Sequence, residues 1–219
     1  MNRITDAVRR TIDVAVALVG LALTSPLLMV IAAAIRFRMG RGILFRQRRL
    51  GLGGAPFELL KFRTMLHAEP GREGPEHEAE RLTSLGSWLR ATSLDELPSL
   101  VNLLRGDITL VGPRPLPVHY WDRYRGDEYR RFEVRPGITG LAQVSGRNLL
   151  DWPDRLALDV QYVEQRSLLG DLRLLVRTVP AVLGREGVDQ AGGVTMHELP
   201  TDRPHPPGDT PGRAPAQPR

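Results

Sequence analysis

Apolar residues are concentrated in one segment near the start of the chain. Residues 14–35 contain no charged side chain and are long enough to cross the hydrocarbon core of a bilayer as a helix. Because basic residues beside a membrane segment favour the cytoplasmic side, both ends are expected to face the cytoplasm. A buried helix of a soluble core does not fit this length and these flanks. The flanking arginines are Arg3, Arg9, Arg10, Arg36, Arg38 and Arg41.

Ser25 and Pro26 interrupt this segment at its centre. Proline lacks the backbone donor of a helix interior and clashes with the preceding turn, so Pro26 predicts a kink. The Ser25 hydroxyl is expected to satisfy a carbonyl that the kink leaves free, where no water is present to do so. A segment broken at mid-depth with basic residues at both ends favours a re-entrant helix-hairpin. On this physical argument, a proline-kinked span is the alternative that stays open.

The remaining pattern predicts a small α+β domain that is mainly helical. Residues 43–48 and 56–63 have β character and surround a glycine-rich turn signal at 51–54, which predicts a β-hairpin. Residues 172–183 predict an amphipathic helix that lies either in a membrane interface or against the core. The predicted helices cover residues 85–89, 95–104, 119–132, 152–165 and 172–183, and the predicted loops cover residues 67–80, 136–140 and 146–148.

These elements divide the chain into three parts. Residues 1–41 form the predicted re-entrant membrane anchor, and residues 42–184 form the globular domain. From residue 200 onward, proline, glycine and charge dominate without apolar periodicity. Residues 185–219 are therefore predicted to be a disordered, proline-rich tail.

Composition narrows the classes of partner. The formal net charge is +5, and the basic residues are arginines apart from Lys61. Such a balance suits an anionic membrane surface or phosphorylated substrates, whereas nucleic acid is not expected because no recognised motif occurs and the arginines are dispersed. The absence of cysteine excludes disulfides, thiolate metal sites and cysteine nucleophiles. The five histidines show no metal-ligand spacing.

Two adjacent carboxylates, Asp95 and Glu96, stand between the apolar residues Leu94 and Leu97. Apolar surroundings and a neighbouring like charge shift the pKa of a carboxylate, as a nucleophile or a proton-transfer pair requires. A helix start is the alternative, with Ser93 as the N-cap and the two acids complementing the helix dipole. The hexapeptide alone leaves both interpretations open.

Several basic residues beside turns or proline bends indicate phosphate chemistry. The planar guanidinium of Arg90, Arg114 or Arg147 can grip phosphate oxygens in a bidentate way, and Lys61 would act as a point charge. A carboxylate nucleophile can form an aspartyl-phosphate. A pyrophosphate substrate calls for a divalent metal, for which Glu96 is a candidate ligand. Taken singly, each arginine is more often a surface ion-pair partner.

A series of short motifs occurs in order along the chain. They are Arg9-Arg10-Thr11-Ile12-Asp13, Ser25-Pro26, Phe45-Arg46-Gln47-Arg48, Lys61-Phe62-Arg63-Thr64-Met65, Ser93-Leu94-Asp95-Glu96-Leu97-Pro98, Gly106-Asp107, Leu110-Val111-Gly112-Pro113-Arg114-Pro115, Pro136-Gly137-Ile138-Thr139-Gly140 and Gln143-Val144-Ser145-Gly146-Arg147-Asn148. From about Arg9 to Pro180 the chain thereby resembles the bacterial sugar transferases, monotopic polyprenyl-phosphate phosphoglycosyl transferases, in their minimal form. It departs from the family pattern at Ser99, where glutamine is usual, and at Ile108-Thr109, where Met-Ser is more typical.

The resemblance implies a reaction and a set of roles. Asp95 would attack the sugar-bearing phosphorus of a UDP-sugar and expel UMP, and the covalent aspartyl-phosphosugar would pass its sugar phosphate to undecaprenyl phosphate. Glu96 would assist as a Mg2+ ligand or proton acceptor. Such an enzyme would catalyse the first membrane step of polysaccharide or glycoconjugate synthesis. The residues that would bind the substrate phosphates are Lys61, Arg63, Arg90, Pro113, Arg114 and Arg147.

The resemblance also implies a location. The segment that holds Ser25 and Pro26 would be re-entrant, so the protein would be monotopic in the inner (cytoplasmic) membrane. Membrane lipid would contact this anchor, and the catalytic domain, with its short β-hairpin and amphipathic interfacial helices, would face the cytoplasm. A homo-oligomer stays open.

Other functions fit less well. A non-catalytic, membrane-anchored adaptor of a polysaccharide assembly complex is the alternative, and it predicts that Asp95 and Glu96 can become amides without consequence. Two-carboxylate glycoside hydrolysis requires an acid and a base that flank the scissile bond several ångströms apart. Neighbouring helix residues rarely achieve that separation.

Overall fold

The computed structural model describes residues 3–68, 71, 74, 77–146, 150–183 and 198–201. Within them helices predominate beside two small sheets, which confirms the mainly helical α+β prediction. The α-helices are α1 (Arg3–Met39), α2 (Glu78–Arg81), α3 (Ser84–Ala91), α4 (Leu100–Arg105), α5 (Leu141–Val144), α6 (Trp152–Gln165) and α7 (Leu168–Leu183). The strands are β1 (Leu44–Leu50), β2 (Pro56–Phe62), β3 (Thr109–Val111) and β4 (Gly137–Thr139). Short 3-10 helices cover Leu52–Gly54, Leu94–Ser99, Val118–Arg123 and Gly126–Glu133.

Helix α1 continues through Pro26. The missing N–H of Pro26 would have bonded the Ala22 carbonyl, and the Ser25 hydroxyl donates to that carbonyl at 2.9 Å instead. This contact confirms the expected role of Ser25. In the described part of the chain, α1 is the one helix long and apolar enough to cross a membrane. Its re-entrant path and the cytoplasmic orientation stay predictions.

Helix α1 packs against the domain along one stripe. Its buried residues, which share one face of a 3.6-residue helix, are Asp13, Ala17, Ile31, Ile35 and Met39. Between Ala17 and Ile31, a stretch described in full, no residue is buried. Exposed apolar side chains there include Leu18, Val19, Leu23, Leu27, Met29 and Val30. A contiguous apolar surface of this kind marks contact with lipid or another apolar partner.

Polar contacts join the first turns of α1 to the domain. Arg10 donates to the carbonyls of Leu103 at 2.7 Å and Leu104 at 2.6 Å, in the last turn of α4. Asp13 is buried and accepts from the Leu110 N–H at 2.9 Å. The start of α1 is therefore part of the domain's packing.

The predicted hairpin is confirmed. Strands β1 and β2 pair antiparallel, from Leu44 opposite Phe62 to Leu50 opposite Pro56 beside the turn. In that turn Gly54 has a φ of +78°, and a Cβ there would lie 2.4 Å from the Trp121 ring. Both the backbone conformation and the close approach require glycine.

Asn102 fastens β2 to α4. Its side chain is fully buried, donates to the Glu58 carbonyl at 2.7 Å and accepts from the Leu60 N–H at 3.0 Å. The buried amide and the strand backbone thus supply each other's hydrogen-bond partners. Because Lys61 follows Leu60, this clamp sets the position from which Lys61 projects toward the 3-10 helix Leu94–Ser99.

A second sheet corrects the prediction of a loop at residues 136–140. Strands β3 and β4 are parallel, with Thr109 opposite Gly137 and Val111 opposite Thr139. Three-residue strands are too short to display alternation, so the sequence pattern does not reveal them. A Cβ at Gly137 would lie 2.1 Å from the Gly112 nitrogen. The two segments therefore approach more closely than a side chain would allow.

Residues 119–132 do not form the single helix that the sequence predicted. The 3-10 helices Val118–Arg123 and Gly126–Glu133 are joined by extended backbone at Tyr124 and Arg125. Side chains from both pieces and from the junction enter one aromatic core, so tertiary packing overrides local helix propensity. These side chains are Tyr120, Trp121, Tyr124 and Phe132.

Other predicted helices differ in smaller ways. The helix expected at residues 95–104 is divided into a 3-10 helix and α4, and α7 begins earlier, at Leu168, and continues through Pro180. The short helix α2 begins inside the predicted loop 67–80. The bounds of α6 are as predicted, and α3 contains residues 85–89.

One apolar face of α7 is exposed, whereas Asp171 and Leu174 face the core. The exposed residues are Leu168, Leu169, Leu172, Val176 and Val179. This arrangement confirms that α7 is amphipathic, and its place in a membrane interface stays a prediction.

Part of the predicted tail lies against the aromatic core. Leu199 is fully buried there, and Arg123 donates to its carbonyl at 2.6 Å and pairs with Glu198 at 2.9 Å. Apart from residues 198–201, the predicted tail of residues 185–219 lies outside the described residues. Its disorder stays a prediction.

Candidate active site

A left-handed backbone turn at Ser93 introduces the Asp95–Glu96 pair. The φ of Ser93 is +56°, the one positive value at a non-glycine residue in the described chain. This conformation costs a residue with a Cβ roughly 1–2 kcal/mol, and such strain concentrates at functional sites. The Ser93 side chain makes no capping hydrogen bond. Ser93 thus stands at the N-cap position of the 3-10 helix Leu94–Ser99, with both acids in the first turn as the helix-start interpretation predicted, but the predicted side-chain cap is wrong.

Two cations hold Glu96 in its ionised form. Lys61 Nζ lies 2.6 Å from Glu96 Oε1, and Arg114 Nη2 lies 3.3 Å from the same oxygen. Lys61 most strongly, and then Arg114, lower the pKa of Glu96 far below its usual value, against the opposing effect of burial. Because Lys61 lies on β2 and Arg114 on the loop after β3, Glu96 connects three segments.

Asp95 has the opposite environment. Its side chain is buried, with 8% exposed, and burial raises its pKa. Glu96 adds to this rise, whereas Lys61, Arg90 and Arg114 lower the pKa of Asp95. Two adjacent carboxylates therefore differ in proton affinity. Asp95 is a desolvated carboxylate among cations, which is an environment suited to a nucleophile.

Two of the predicted phosphate-binding arginines differ in position. Arg90, at the end of α3, acts electrostatically on Asp95, and its Nε donates to Thr64 Oγ1 at 3.0 Å. Arg63 instead binds the end of α1, where its Nη2 donates to the carbonyls of Met39 at 2.7 Å and Gly40 at 3.2 Å. Only 6% of Arg63 is exposed. Its described contacts hold the chain as it leaves α1.

The loop that carries Arg114 is fixed through three consecutive carbonyls. Pro113 accepts from the Gly137 N–H at 2.9 Å, Arg114 accepts from Arg131 at 2.7 Å and Pro115 accepts from Arg49 at 3.1 Å. Pro113 thus contributes through its backbone. The Arg114 guanidinium is directed toward Glu96 by a loop that has little freedom.

A buried ion pair supports this loop, and sequence reasoning missed it. Arg131 pairs with Asp159 at 2.8 Å and donates to the Tyr124 hydroxyl at 2.8 Å. Burial raises the pKa of Tyr124 to about 12, so Tyr124 is neutral at physiological pH. The sequence carries one relevant signal: Asp159 occupies the apolar stripe of α6 with Trp152, Leu156 and Tyr162.

A cleft beside Glu96 is lined by Lys61, Arg114 and a further arginine, Arg49. Arg49 follows the quoted motif on β1, but the sequence reasoning did not select it. Burial first, and then the like charge of Arg114, lower its pKa to about 10, so Arg49 remains protonated at neutral pH. The signal that could have identified it is its alternation with Phe45 and Gln47 along a short strand.

Three other predicted residues lie outside this cluster. Arg147 is not among the described residues, and its role stays a prediction. Ser25 and Pro26 lie in α1, where they shape the apolar segment.

Among the described residues no group of three or more histidine, cysteine or acidic side chains is placed to hold a metal ion. Asp95 and Glu96 are thus the carboxylate donors that the site offers.

Comparisons with known proteins identify the family of the chain. A family model described as bacterial sugar transferase matches residues 4–185. The chain is 45% identical over 188 residues to the UDP-glucose:undecaprenyl-phosphate glucose-1-phosphate transferase of Caulobacter vibrioides, covering 81% of this chain and 70% of that protein. It is 43% identical over 191 residues to the uncharacterized sugar transferase EpsL of Bacillus subtilis, covering 87% and 95%.

A longer relative aligns over part of its length. The undecaprenyl-phosphate galactose phosphotransferase of Salmonella typhimurium is 34% identical over 203 residues, which cover 85% of this chain and 42% of that protein. The chain belongs to the bacterial sugar transferase family, and it is accordingly a transferase. The predicted family resemblance is confirmed.

Arg131→Ala should lower the free energy of unfolding by about 3–5 kcal/mol, because it leaves the buried Asp159 without its guanidinium partner. The Arg114 carbonyl loses its donor as well. The measurement is urea unfolding of the purified protein in detergent micelles. The matched control is Arg130→Ala, since Arg130 is exposed and pairs with the exposed Glu164; its effect should be small. Equal losses in the two variants would contradict the buried-pair argument.

Proposed function

We propose that this protein transfers a sugar-1-phosphate from a UDP-sugar to undecaprenyl phosphate, the first membrane step of exopolysaccharide or glycoconjugate synthesis. The observation that carries the proposal is the buried Asp95 beside a Glu96 that Lys61 and Arg114 keep charged. The names of the Caulobacter and Salmonella relatives support the same substrate classes.

In the first half of the reaction, an Asp95 carboxylate oxygen attacks the phosphorus that bears the sugar. The bond between that phosphorus and the bridging oxygen breaks, and UMP leaves with the electron pair. Arg114, Lys61 and Arg90 are the cations that would balance the charge of the diphosphate. Because Asp95 is already desolvated, little solvent reorganisation precedes the attack.

In the second half, a phosphate oxygen of undecaprenyl phosphate attacks the same phosphorus. The aspartyl–phosphorus bond breaks and Asp95 is restored as a carboxylate. The product is an undecaprenyl-diphosphate sugar. Dividing the displacement into two steps lets one set of cations serve both substrates in turn.

Mg2+ fits this site as an ion shared between protein and substrate. Mg2+ is commonly bound by one or two carboxylates together with substrate phosphates and water. Both ion pairs of Glu96 described above engage Oε1, so Oε2 is the oxygen that would coordinate the ion. When bound, the ion would neutralise charge on the diphosphate.

The proposal includes an arrangement of the protein in the membrane. The apolar middle of α1 enters the cytoplasmic leaflet of the inner membrane and returns, so the protein is monotopic and its catalytic domain faces the cytoplasm. The arginines at both ends of α1 and the exposed apolar faces of α1 and α7 support this arrangement. It brings a lipid-borne phosphate to the same surface as the soluble nucleotide sugar.

Asp95→Asn should reduce UMP release from a UDP-sugar by at least about 1000-fold, because the nucleophile is lost. It should also abolish radioactive labelling of the protein by a sugar-labelled donor in the absence of acceptor. The matched control is Asp122→Asn, whose side chain is exposed, and it should retain full activity. Undiminished product from Asp95→Asn would contradict the role of Asp95 as the nucleophile.

Glu96→Gln should move the acid limb of kcat/KM to lower pH, although the maximal rate falls. Asp95 must be deprotonated to attack, and the Glu96 charge raises the pKa of Asp95, so its removal lets Asp95 ionise at lower pH. The measurement is UMP release across a pH series. Glu58→Gln, on an exposed ion pair with Arg46, should leave the profile in place. An acid limb that stays at the same pH, or moves to higher pH, would contradict the effect of Glu96 on the pKa of Asp95.

Single cysteines test the hairpin, since the chain has none of its own. Asn2→Cys and Leu52→Cys should both be protected from an impermeant maleimide in intact cells and react after permeabilisation. Adding Pro26→Ala should straighten the helix and expose one end to the outside. If only one of the two cysteines is labelled in intact cells while Pro26 is retained, α1 is a true span and the hairpin is contradicted.

A further inference from the structure

The cleft beside Glu96 is lined by Arg49, and Asp95 is not among its described lining residues. After burial, Lys61, Glu96 and Arg90 act most strongly on the pKa of Asp95, whereas Arg114 and Glu96 act most strongly on the pKa of Arg49. Glu96, the chain neighbour of Asp95, and Arg114, which contacts Glu96 at 3.3 Å, both line the cleft together with Arg49. The cleft therefore offers Arg49 to a ligand that binds beside the Asp95–Glu96 pair.

The Arg49 guanidinium is fixed but retains donors. Its Nη1 donates to the Pro115 carbonyl at 3.1 Å, and its Nη2 contacts the Gln47 side chain. Its Nε is buried and has no hydrogen-bond partner among the described residues. A guanidinium carries five N–H donors, so these two contacts orient the fork without saturating it.

The charge around the cleft is unbalanced. Arg49, Lys61 and Arg114 line it, with Glu96 as the one carboxylate among its described lining residues. Grouping like charges in a partly desolvated cleft is unfavourable unless an anion compensates them. A phosphate group supplies that charge and matches the planar donors of arginine.

We propose that Arg49, together with Arg114, binds the second phosphate of the diphosphate donor, the one that leaves with the nucleoside. The assignment rests on the proposed function. If Asp95 attacks the sugar-bearing phosphorus, the nucleoside-side phosphate lies beside it, where the cleft offers Arg49. The acceptor lipid carries an anionic phosphate too, a monoester like the departing UMP, so the test separates the two sources.

The test measures binding of two probes by calorimetry in detergent micelles, namely UMP and farnesyl phosphate. Arg49→Ala should weaken UMP binding roughly 10- to 100-fold, as expected for loss of a charge-assisted contact, and leave farnesyl phosphate binding unchanged. The matched control is Arg46→Ala on the same strand, whose side chain is 64% exposed. It should change neither affinity.

Arg49→Lys is a second variant that keeps the test valid if Arg49→Ala does not fold. It keeps the charge but loses the fork, so it should bind UMP less tightly than the wild type while melting near the wild-type temperature. Unchanged UMP affinity in these variants overturns the assignment. So does a loss confined to farnesyl phosphate, or an equal loss for both probes, which would mean that Arg49 only supports the Arg114 loop.

Different results would contradict the proposed function and the role of Arg49. A wild-type protein that releases no UMP from any UDP-sugar would remove the proposed function. A wild-type protein that releases UMP, with Arg49 variants that bind UMP normally, would remove only the role of Arg49.

Discussion

One oxygen of Glu96 joins three segments that are far apart in the chain. Lys61 reaches it from β2 and Arg114 reaches it from the loop after β3. Without this carboxylate, the cations of the cleft would repel one another. The neighbouring supports serve the same arrangement: Asn102 fixes the strand that carries Lys61, and Arg131 fixes the carbonyl of Arg114.

The pKa values of the adjacent acids shift in opposite directions because their surroundings differ. Glu96 is surrounded by partners that keep it charged, whereas Asp95 is buried and its pKa is raised. The strained backbone at Ser93 turns the chain so that neighbouring residues meet these different environments. Packing of the 3-10 helix against β2 offsets the cost of that strain. The pair therefore combines a buried carboxylate of raised pKa with a stable negative charge.

The apolar helix is coupled to the site by polar contacts at its start. Arg10 and Asp13 bind α4 and β3, so the exposed middle of α1 continues from a rigid part of the domain. This coupling gives the apolar surface a defined position relative to the segments that carry Asp95 and Arg114. The proposed transfer from a soluble donor to a lipid acceptor requires such a relation.

The sequence by itself determined the features whose signals are local. Periodicity predicted α6, turn glycines predicted the β1–β2 hairpin, and the absence of charged side chains marked the apolar segment. The contact of Ser25 followed from the chemistry of proline. The Asp95–Glu96 pair was visible because two acids stood among apolar residues. Only the tertiary structure decided what each charged side chain meets. It assigned Arg63 to the end of α1, paired Arg131 with Asp159, joined β3 to β4 and brought Arg49 to the cleft. The physical reason is that periodicity records which positions are buried, whereas the partner of a buried charge depends on segments that folding brings together from distant parts of the chain.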